Sequence, residues 1–362
     1  MIDFEPTEEQ QLIIETVHQF ASQEIRPRAR ECDESHEPSQ EVLQLAHELG
    51  LVANAIDEAH GGGGELSALT GVLVAEELAW GDLALALAIL SPAQIALPLS
   101  LYGTQDQKTR YLGAFTEDAF RPGSMACLEP GYGANPFEPR TRARRNGSGW
   151  VIDGAKCLVG WLPGGDTVLV SAATEAGAGA FLVPRDAPGL RATPERNLGI
   201  QALPSVELEL SGVEVPEAAL LPVAGGATLR ALLQRSRVAL AASAVGVARA
   251  AYEIALGYAK EREAFGAPIA TKQAIAFKLA DMVIEVDGAR LLTWEAAWQL
   301  DRGGDATREA CLALQQARRV SLEVSDAAVQ ILGGHGYTRE YLPEQQLRNA
   351  RGFACFEALA MV

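Results

Sequence analysis

The sequence predicts a mainly α protein with a β insert: an N-terminal helical domain, a middle antiparallel β-sandwich or barrel, and a C-terminal four-helix bundle. Three observations predict it. Apolar residues recur at three- and four-residue steps near both ends, at Leu12, Ile13, Val17 and Phe20 and again at Leu279, Met282, Val283, Val286 and Ala289, which is the period of a helix with one buried stripe. Between them the period falls to two. Val206, Leu208 and Leu210 alternate with Glu207 and Glu209, the pattern of a strand with one wet face. In the last third the breaks are short, at Gly266-Ala267-Pro268 and Gly303-Gly304, so consecutive helices there should lie side by side and antiparallel. A chain of 362 residues divides into more than one folding unit; the expected domains are residues 1–120, 121–223 and 224–362.

Taken in order, Thr7-Glu8-Glu9-Gln10 is a capping box, so a helix should start at Glu8. It should run toward Ala29, with Pro27 ending or kinking it. A second helix over 40–49 should stop at Gly50, the residue best able to take a left-handed C-cap. Gly61-Gly62-Gly63-Gly64 reads as a loop, and no Lys-Ser/Thr follows it to make a phosphate cradle. Further helices are expected over 66–79, over 92–102 after a Ser91 cap, and over 105–115 after a Thr104 cap. Asn146-Gly147 then signals a tight hairpin, with other strands near 125–128, 167–172, 180–183, 190–193 and 206–210. Helix returns near Ala227. Val324, Ala328, Ile331 and Leu332 carry the last long stripe, and a shorter helix should start at Pro343.

The formal charge of -17 and pI near 4.8 argue against a surface built to neutralise nucleic-acid phosphates or anionic lipid. Cys32, Cys127, Cys157, Cys311 and Cys355 form no CxxC pair, so neither a metal site nor a disulfide framework is expected. The acidic N-terminus has no secretory or presequence character, and no apolar run approaches the ~20 residues of a membrane span. A cytoplasmic protein without a membrane partner is expected.

Two stretches carry a specific likeness. The segment Ala259-Lys260-Glu261-Arg262-Glu263-Ala264-Phe265-Gly266-Ala267-Pro268 with Gln273, and the segment Gln330-Ile331-Leu332-Gly333-Gly334-His335-Gly336-Tyr337 with Arg348-Asn349-Ala350-Arg351, resemble the acyl-CoA dehydrogenase family. The resemblance covers nearly the whole chain. It implies FAD in a cleft between the β unit and the bundle, reaching a neighbouring subunit of a dimer or tetramer. Arg262 would then pair with the pyrophosphate, Phe265 and Gln273 would line the cofactor, and Gln330, Gly333 and Gly334 would meet its ADP portion. A guanidinium fork and paired glycines suit a bulky anion. Phe356-Glu357-Ala358 is similar to the family's aromatic-Glu-Gly, which implies that Glu357 is the base of an α,β-dehydrogenation of an acyl-CoA thioester, with Phe356, Ala358 and Arg237 near the substrate. A base of this kind is served by a dry, apolar site. Electrons would pass to an electron-transfer flavoprotein.

The flavin side departs from the family pattern. Leu128-Glu129-Pro130-Gly131-Tyr132-Gly133-Ala134-Asn135 stands where the family usually has Thr-Glu-Pro-Gly-x-Gly-Ser-Asp, and Leu158-Val159-Gly160 where it has Trp-Ile-Thr or Trp-Ile-Ser. Hydroxyl donors and a stacking indole are therefore missing at Leu128, Ala134, Leu158 and Gly160, while Gly133 is kept. Three functions follow: an active flavoenzyme, a flavin-poor subunit of a heteromeric dehydrogenase that completes a partner's FAD site, or a non-catalytic acyl-CoA-binding protein.

Overall fold

The structure is a computed structural model that describes residues 5–222 and 227–362. Helix α1 (Glu8–Phe20) opens on the expected box: the Thr7 hydroxyl accepts from the Gln10 amide at 3.2 Å, and the Gln10 side chain accepts from the Thr7 amide at 3.0 Å. Pro27 kinks the segment without ending it. A π turn (Ala21–Ile25) and a 3-10 turn (Arg26–Arg28) carry the chain into α2 (Ala29–Ser35). Helix α3 (Gln40–Glu48) ends at Leu49 and a left-handed Gly50. Then come α4 (Ala68–Gly81), α5 (Leu83–Ile89), α6 (Ala93–Tyr102) and α7 (Gln105–Tyr111).

Two details differ from expectation. Helix α5 is buried on every side, so its Leu-Ala alternation shows no 3.6 period; the signal it does carry is Asp82, which accepts from the Leu85 amide at 3.0 Å as an N-cap. Ser91 does not cap α6. Pro92 occupies that position, and the buried Ser91 hydroxyl has no partner.

The middle unit holds β1 (Met125–Ala126), β2 (Arg142–Asn146), β3 (Gly149–Gly160), β4 (Thr167–Thr174), β5 (Gly177–Pro184), β6 (Leu190–Pro194) and β7 (Ser205–Pro216). They form one curled sheet in the order β1-β4-β2-β3-β7-β6, with β5 on β4. The pairing is mixed: β4 runs parallel to β1 and β2, while the other contacts are antiparallel. The Asn146-Gly147 turn joins β2 to β3 as expected. Register shifts at Ile152/Gly154 and Lys156/Val159 bend β3, and Leu158 sits in the second with a φ of 54°.

The bundle is α8 (Ala227–Glu261), α9 (Gln273–Asp301), α10 (Thr307–Leu332) and α12 (Pro343–Gly352), with a single turn, α11 (Gly334–Tyr337), between the last two. The break near Gly266 is a hairpin of β8 (Glu263–Ala264) and β9 (Ala267–Pro268), turned at Phe265 and Gly266, both with positive φ. Helix α8 is long and apolar enough to cross a membrane by composition, which the sequence reading missed, but it is largely buried inside the protein. Its partners are α10, α4 and α9. The Asp301 carboxylate closes the seam between the units by accepting from the Ala68 amide at 2.6 Å and the Leu69 amide at 3.0 Å, the orphan donors at the start of α4.

One apolar core joins the N-terminal helices to the bundle, a second joins α6 to the sheet and the start of α8, and a third lies within the sheet. The last residues belong to the first two at once: Phe356, Leu359 and Val362 to one, Ala358 and Met361 to the other.

Candidate active site

Glu357 lies on the segment that follows α12, at the seam of two cores, and is about nine-tenths buried. Its neighbours are supplied by helical spacing. Arg237 projects from α8 and grips the carboxylate along one edge of its guanidinium: Nη2 donates to Oε1 at 2.8 Å, and Nε donates toward the two oxygens at 3.2 and 3.3 Å. Burial alone would lower the ionisation range of Arg237, but the bonds to Glu357 outweigh it and leave the guanidinium above its ordinary value. Arg237 Nη1 also donates to Cys311 Sγ at 3.2 Å. From α10, Arg318 Nη2 donates to the Phe356 carbonyl at 2.9 Å and lies 4.0 Å from Glu357 Oε1. Burial pushes Arg318 down; Glu357 opposes this and Arg237 adds to it. The Phe137 ring faces Arg237 at 4.9 Å.

The structure brings Arg237, which the resemblance set near the substrate, onto Glu357 itself, with Phe356 and Ala358 flanking it in the core. It corrects one expectation. Phe356, Leu359 and Met361 are buried around Glu357, but the carboxylate itself meets two cations, and Cys355 is exposed. Ala358 takes a φ of 59°, a left-handed conformation natural to glycine and strained for alanine. The main chain beyond is tied down: Gln94 Nε2 donates to the Leu359 carbonyl at 2.9 Å, and Arg235 Nη1 to the Val362 carbonyl at 2.8 Å.

The strand side is organised by a buried ion pair. Lys156, fully buried on β3, donates to Glu129 Oε1 at 2.9 Å and to Ser171 Oγ at 3.0 Å. Glu129 also accepts from the Arg140 and Thr141 amides at 2.7 and 2.8 Å. Burial would raise its carboxyl, yet Lys156 and those amides hold it at about 2. This pair fixes the loop with Leu128, Gly133 and Ala134 against the strand with Leu158 and Gly160. The Leu158 amide is taken by Glu195 at 2.8 Å, and burial leads the upward shift of that acid. Gly160 is buried; a Cβ there would rest 3.7 Å from both Leu203 and Leu359. Gly133 has open space around it.

The second set lies at one end of the bundle. Arg262, Phe265, Gln273, Gln330, Gly333 and Gly334 are all exposed there, Phe265 almost completely. Tyr258 Oη, one turn before Arg262, lies 2.8 Å from His335 Nδ1 beside Gly334, which ties the two motifs together. No hydrogen bond or ion pair among the described residues links this set to the strand side.

Matches to family models span the same chain. Residues 7–118, 124–213 and 224–357 match the N-terminal, middle and C-terminal domains of acyl-CoA dehydrogenase. The chain belongs to the acyl-CoA dehydrogenase family. It is 36% identical to the probable acyl-CoA dehydrogenase YngJ of Bacillus subtilis over 97% of this chain and 94% of that protein. The butyryl-CoA dehydrogenase of Megasphaera elsdenii has a TM-score of 0.90 at 29% identity, over 99% of this chain and 96% of that one. A Mycobacterium smegmatis glutaryl-CoA dehydrogenase solved in complex with FADH2 has a TM-score of 0.89 at 28% identity, covering 98% of this chain and 92% of that one. The family is FAD-dependent and oxidises acyl-CoA.

The residues present fit that cofactor unevenly. At the bundle end they fit: a Cβ added to Gly333, with its φ of 58°, or to Gly334 would meet nothing within 4 Å, and the exposed Arg262 follows by one turn the Tyr258 that meets His335, so the same end offers phosphate oxygens both room and a cation. On the strand side Leu128, Ala134, Leu158 and Gly160 bring no hydroxyl, the Leu158 amide is spent on Glu195, and the Gly160 face is covered.

Sequence reasoning missed Arg318, Lys156, Glu195 and Phe137. Two had a legible signal. Arg318 follows Leu314 by four and precedes Ser321 and Ser325 on the buried stripe of α10, and Lys156 shares the inward parity of Trp150 and Ile152 on β3.

Proposed function

We propose that this dehydrogenase oxidises its acyl-CoA between Cα and Cβ with Glu357 taking the α-proton. The observation that carries the reading is a nine-tenths buried carboxylate, gripped by Arg237, at the seam where α8, α10 and the last segment converge. FAD, when bound, supplies the acceptor for the β-hydrogen as hydride. Arg262, Gln330, Gly333 and Gly334 would hold its phosphate-rich half. The rest is the chain's own work. Arg237 orients the carboxylate, the Phe356 and Leu359 side chains exclude water around it, and a Glu357 oxygen must exchange Arg237 for the substrate to accept the proton.

A cavity of about 510 Å³ between the middle unit and the start of α8 is lined by Phe137, Arg140, Arg142, Thr174, Leu229 and Arg230. Three guanidiniums suit the phosphates of a CoA moiety. The Phe137 ring stands between this cavity and the acid, facing Arg230 at 5.3 Å and Arg237 at 4.9 Å. An acyl chain entering here would have to turn that ring aside. The electrons then pass to an electron-transfer flavoprotein.

A second reading is favoured by the covered Gly160 face beside a fully presented bundle end: the chain lends Arg262, Gln330 and Gly334 to the FAD of another subunit in a heteromeric enzyme. In either case another chain is needed. On α9, Phe277, Ile284 and Leu291 stand 61%, 66% and 42% exposed at seven-residue steps, an apolar stripe of the kind that pairs with a neighbouring helix.

The deciding measurement is the visible spectrum of the protein purified alone, with bound FAD counted per chain and acyl-CoA added without oxygen. Stoichiometric flavin that bleaches with the parent and not with Glu357→Gln supports the first reading. A protein that stays colourless in added FAD overturns it and supports the shared site. Full bleaching with Glu357→Gln removes Glu357 from the base role.

A further inference from the structure

Arg318 occupies a position on α10 that helical spacing reserves for the core, in line with Leu314, Ser321 and Ser325. Its side chain is only 21% exposed. It uses one nitrogen twice, on the Phe356 carbonyl and beside Glu357 Oε1, while its Nε is buried without any partner. Two cations thus face one carboxylate: Arg237 from α8 and Arg318 from α10. Around them lie three thiols, Cys311 on α10 against Arg237, Cys355 on the same segment, and Cys127 after β1, which burial pushes up to about 12; Arg351 and Glu195 act on Cys355, and Lys156 and Glu129 on Cys127.

We infer that Arg318 is a positioning residue for the proton transfer, pinning the main chain one residue before Glu357 and supplying the second positive charge that faces the carboxylate. The inference rests on Glu357 being the base. Main-chain tethering one bond from a catalytic side chain fixes where its oxygens can swing, and a displacement of about 1 Å costs roughly a hundredfold in rate.

The test is steady-state dehydrogenation by the FAD-loaded enzyme as a function of pH, comparing the parent with Arg318→Met, Arg318→Lys and Glu357→Gln. Methionine keeps much of the apolar stem and removes the charge. We expect its acid limb of kcat to move up by roughly one pH unit and kcat at neutral pH to fall tenfold or more, with KM nearly unchanged. Lysine keeps the charge without the planar fork, so its acid limb should stay in place while kcat falls. An Arg318→Met enzyme with the parental limb and kcat, or one whose whole loss lies in KM, overturns the inference. Should Arg318→Met fail to fold by circular dichroism, Arg318→Lys decides, and a parental kcat there overturns it. Retained activity in Glu357→Gln would instead refute the base assignment.

Discussion

Replacing Lys156 by methionine tests how the strand side of the site is held. The cation is fully buried and its partner, Glu129, is 9% exposed. Glu129 titrates at about 2 against an ordinary 4.5, a displacement of roughly 2.5 units, or about 3 kcal/mol at 1.36 per unit. Part of that belongs to the Arg140 and Thr141 amides, which survive the substitution, and residual solvent screens the rest. We therefore expect Lys156→Met to cost about 2 kcal/mol at neutral pH, less than the 3–5 typical of a buried charge left with no partner. The pH dependence has a definite sign. A carboxyl held below its unfolded value stabilises the fold fully above pH 4.5 and loses that contribution as pH falls toward 2. Unfolding followed from neutral pH to pH 3 should show a shallower acid loss in Lys156→Met than in the parent, and amide exchange at Arg140 and Thr141 should quicken. Lys156→Met/Glu129→Gln should recover at least half of the loss, because the stranded charge is gone. A single mutant as stable as the parent, with the same acid slope, would refute the claim that this pair holds the loop.

Three further outcomes are expected. Glu357→Gln should lower kcat by a factor of about a hundred or more with KM and far-ultraviolet circular dichroism unchanged, since general-base contributions run to 10²–10⁴. Ala358→Gly should raise stability by about 0.5 kcal/mol: relief of a left-handed alanine is worth about 1–2, offset by about 0.4–1 of extra freedom in the unfolded chain; thermal unfolding checks it. Ile284→Asp, in the middle of the exposed α9 stripe, should shift the protein to a smaller species in sedimentation, and a parent already monomeric would exclude the stripe as a subunit contact.

What the sequence made legible was what local rules encode. The Thr7 box, the Asn146-Gly147 hairpin and the long bundle stripes could be read because capping, positive φ and the 3.6 period each leave a mark within a few residues. The opposite held for α5, whose Leu-Ala run is buried all round and has no polar face to reveal its period. Ser91 resembles a cap in sequence, yet Pro92 takes that place because its fixed φ suits the start of a helix. Glu357 could be found only through its likeness to a family motif, since its partners Arg237 and Arg318 lie on two other helices. Only the parity of Lys156 on β3 hinted that a strand cation points inward toward Glu129.

The two groups of cofactor residues that the sequence singled out occupy different surfaces, and their burial separates their roles. A Cβ on the buried Gly160 would rest against Leu203 and against Leu359 of the last segment, each at 3.7 Å. That segment also carries Glu357. Its main chain is fastened at Phe356 by Arg318, at Leu359 by Gln94 and at Val362 by Arg235. A displacement of Leu359 would therefore be felt at Glu357 through the same tethered main chain. Arg262, Gln330 and Gly334 need no such displacement, because they already face outward. On the proposed reading the bundle end can meet a cofactor as it stands, whereas a group approaching Gly160 would press on Leu359 of the Glu357 segment. Flavin binding by the isolated chain should accordingly be slow and should quicken when the Gln94 tether is removed by Gln94→Ala.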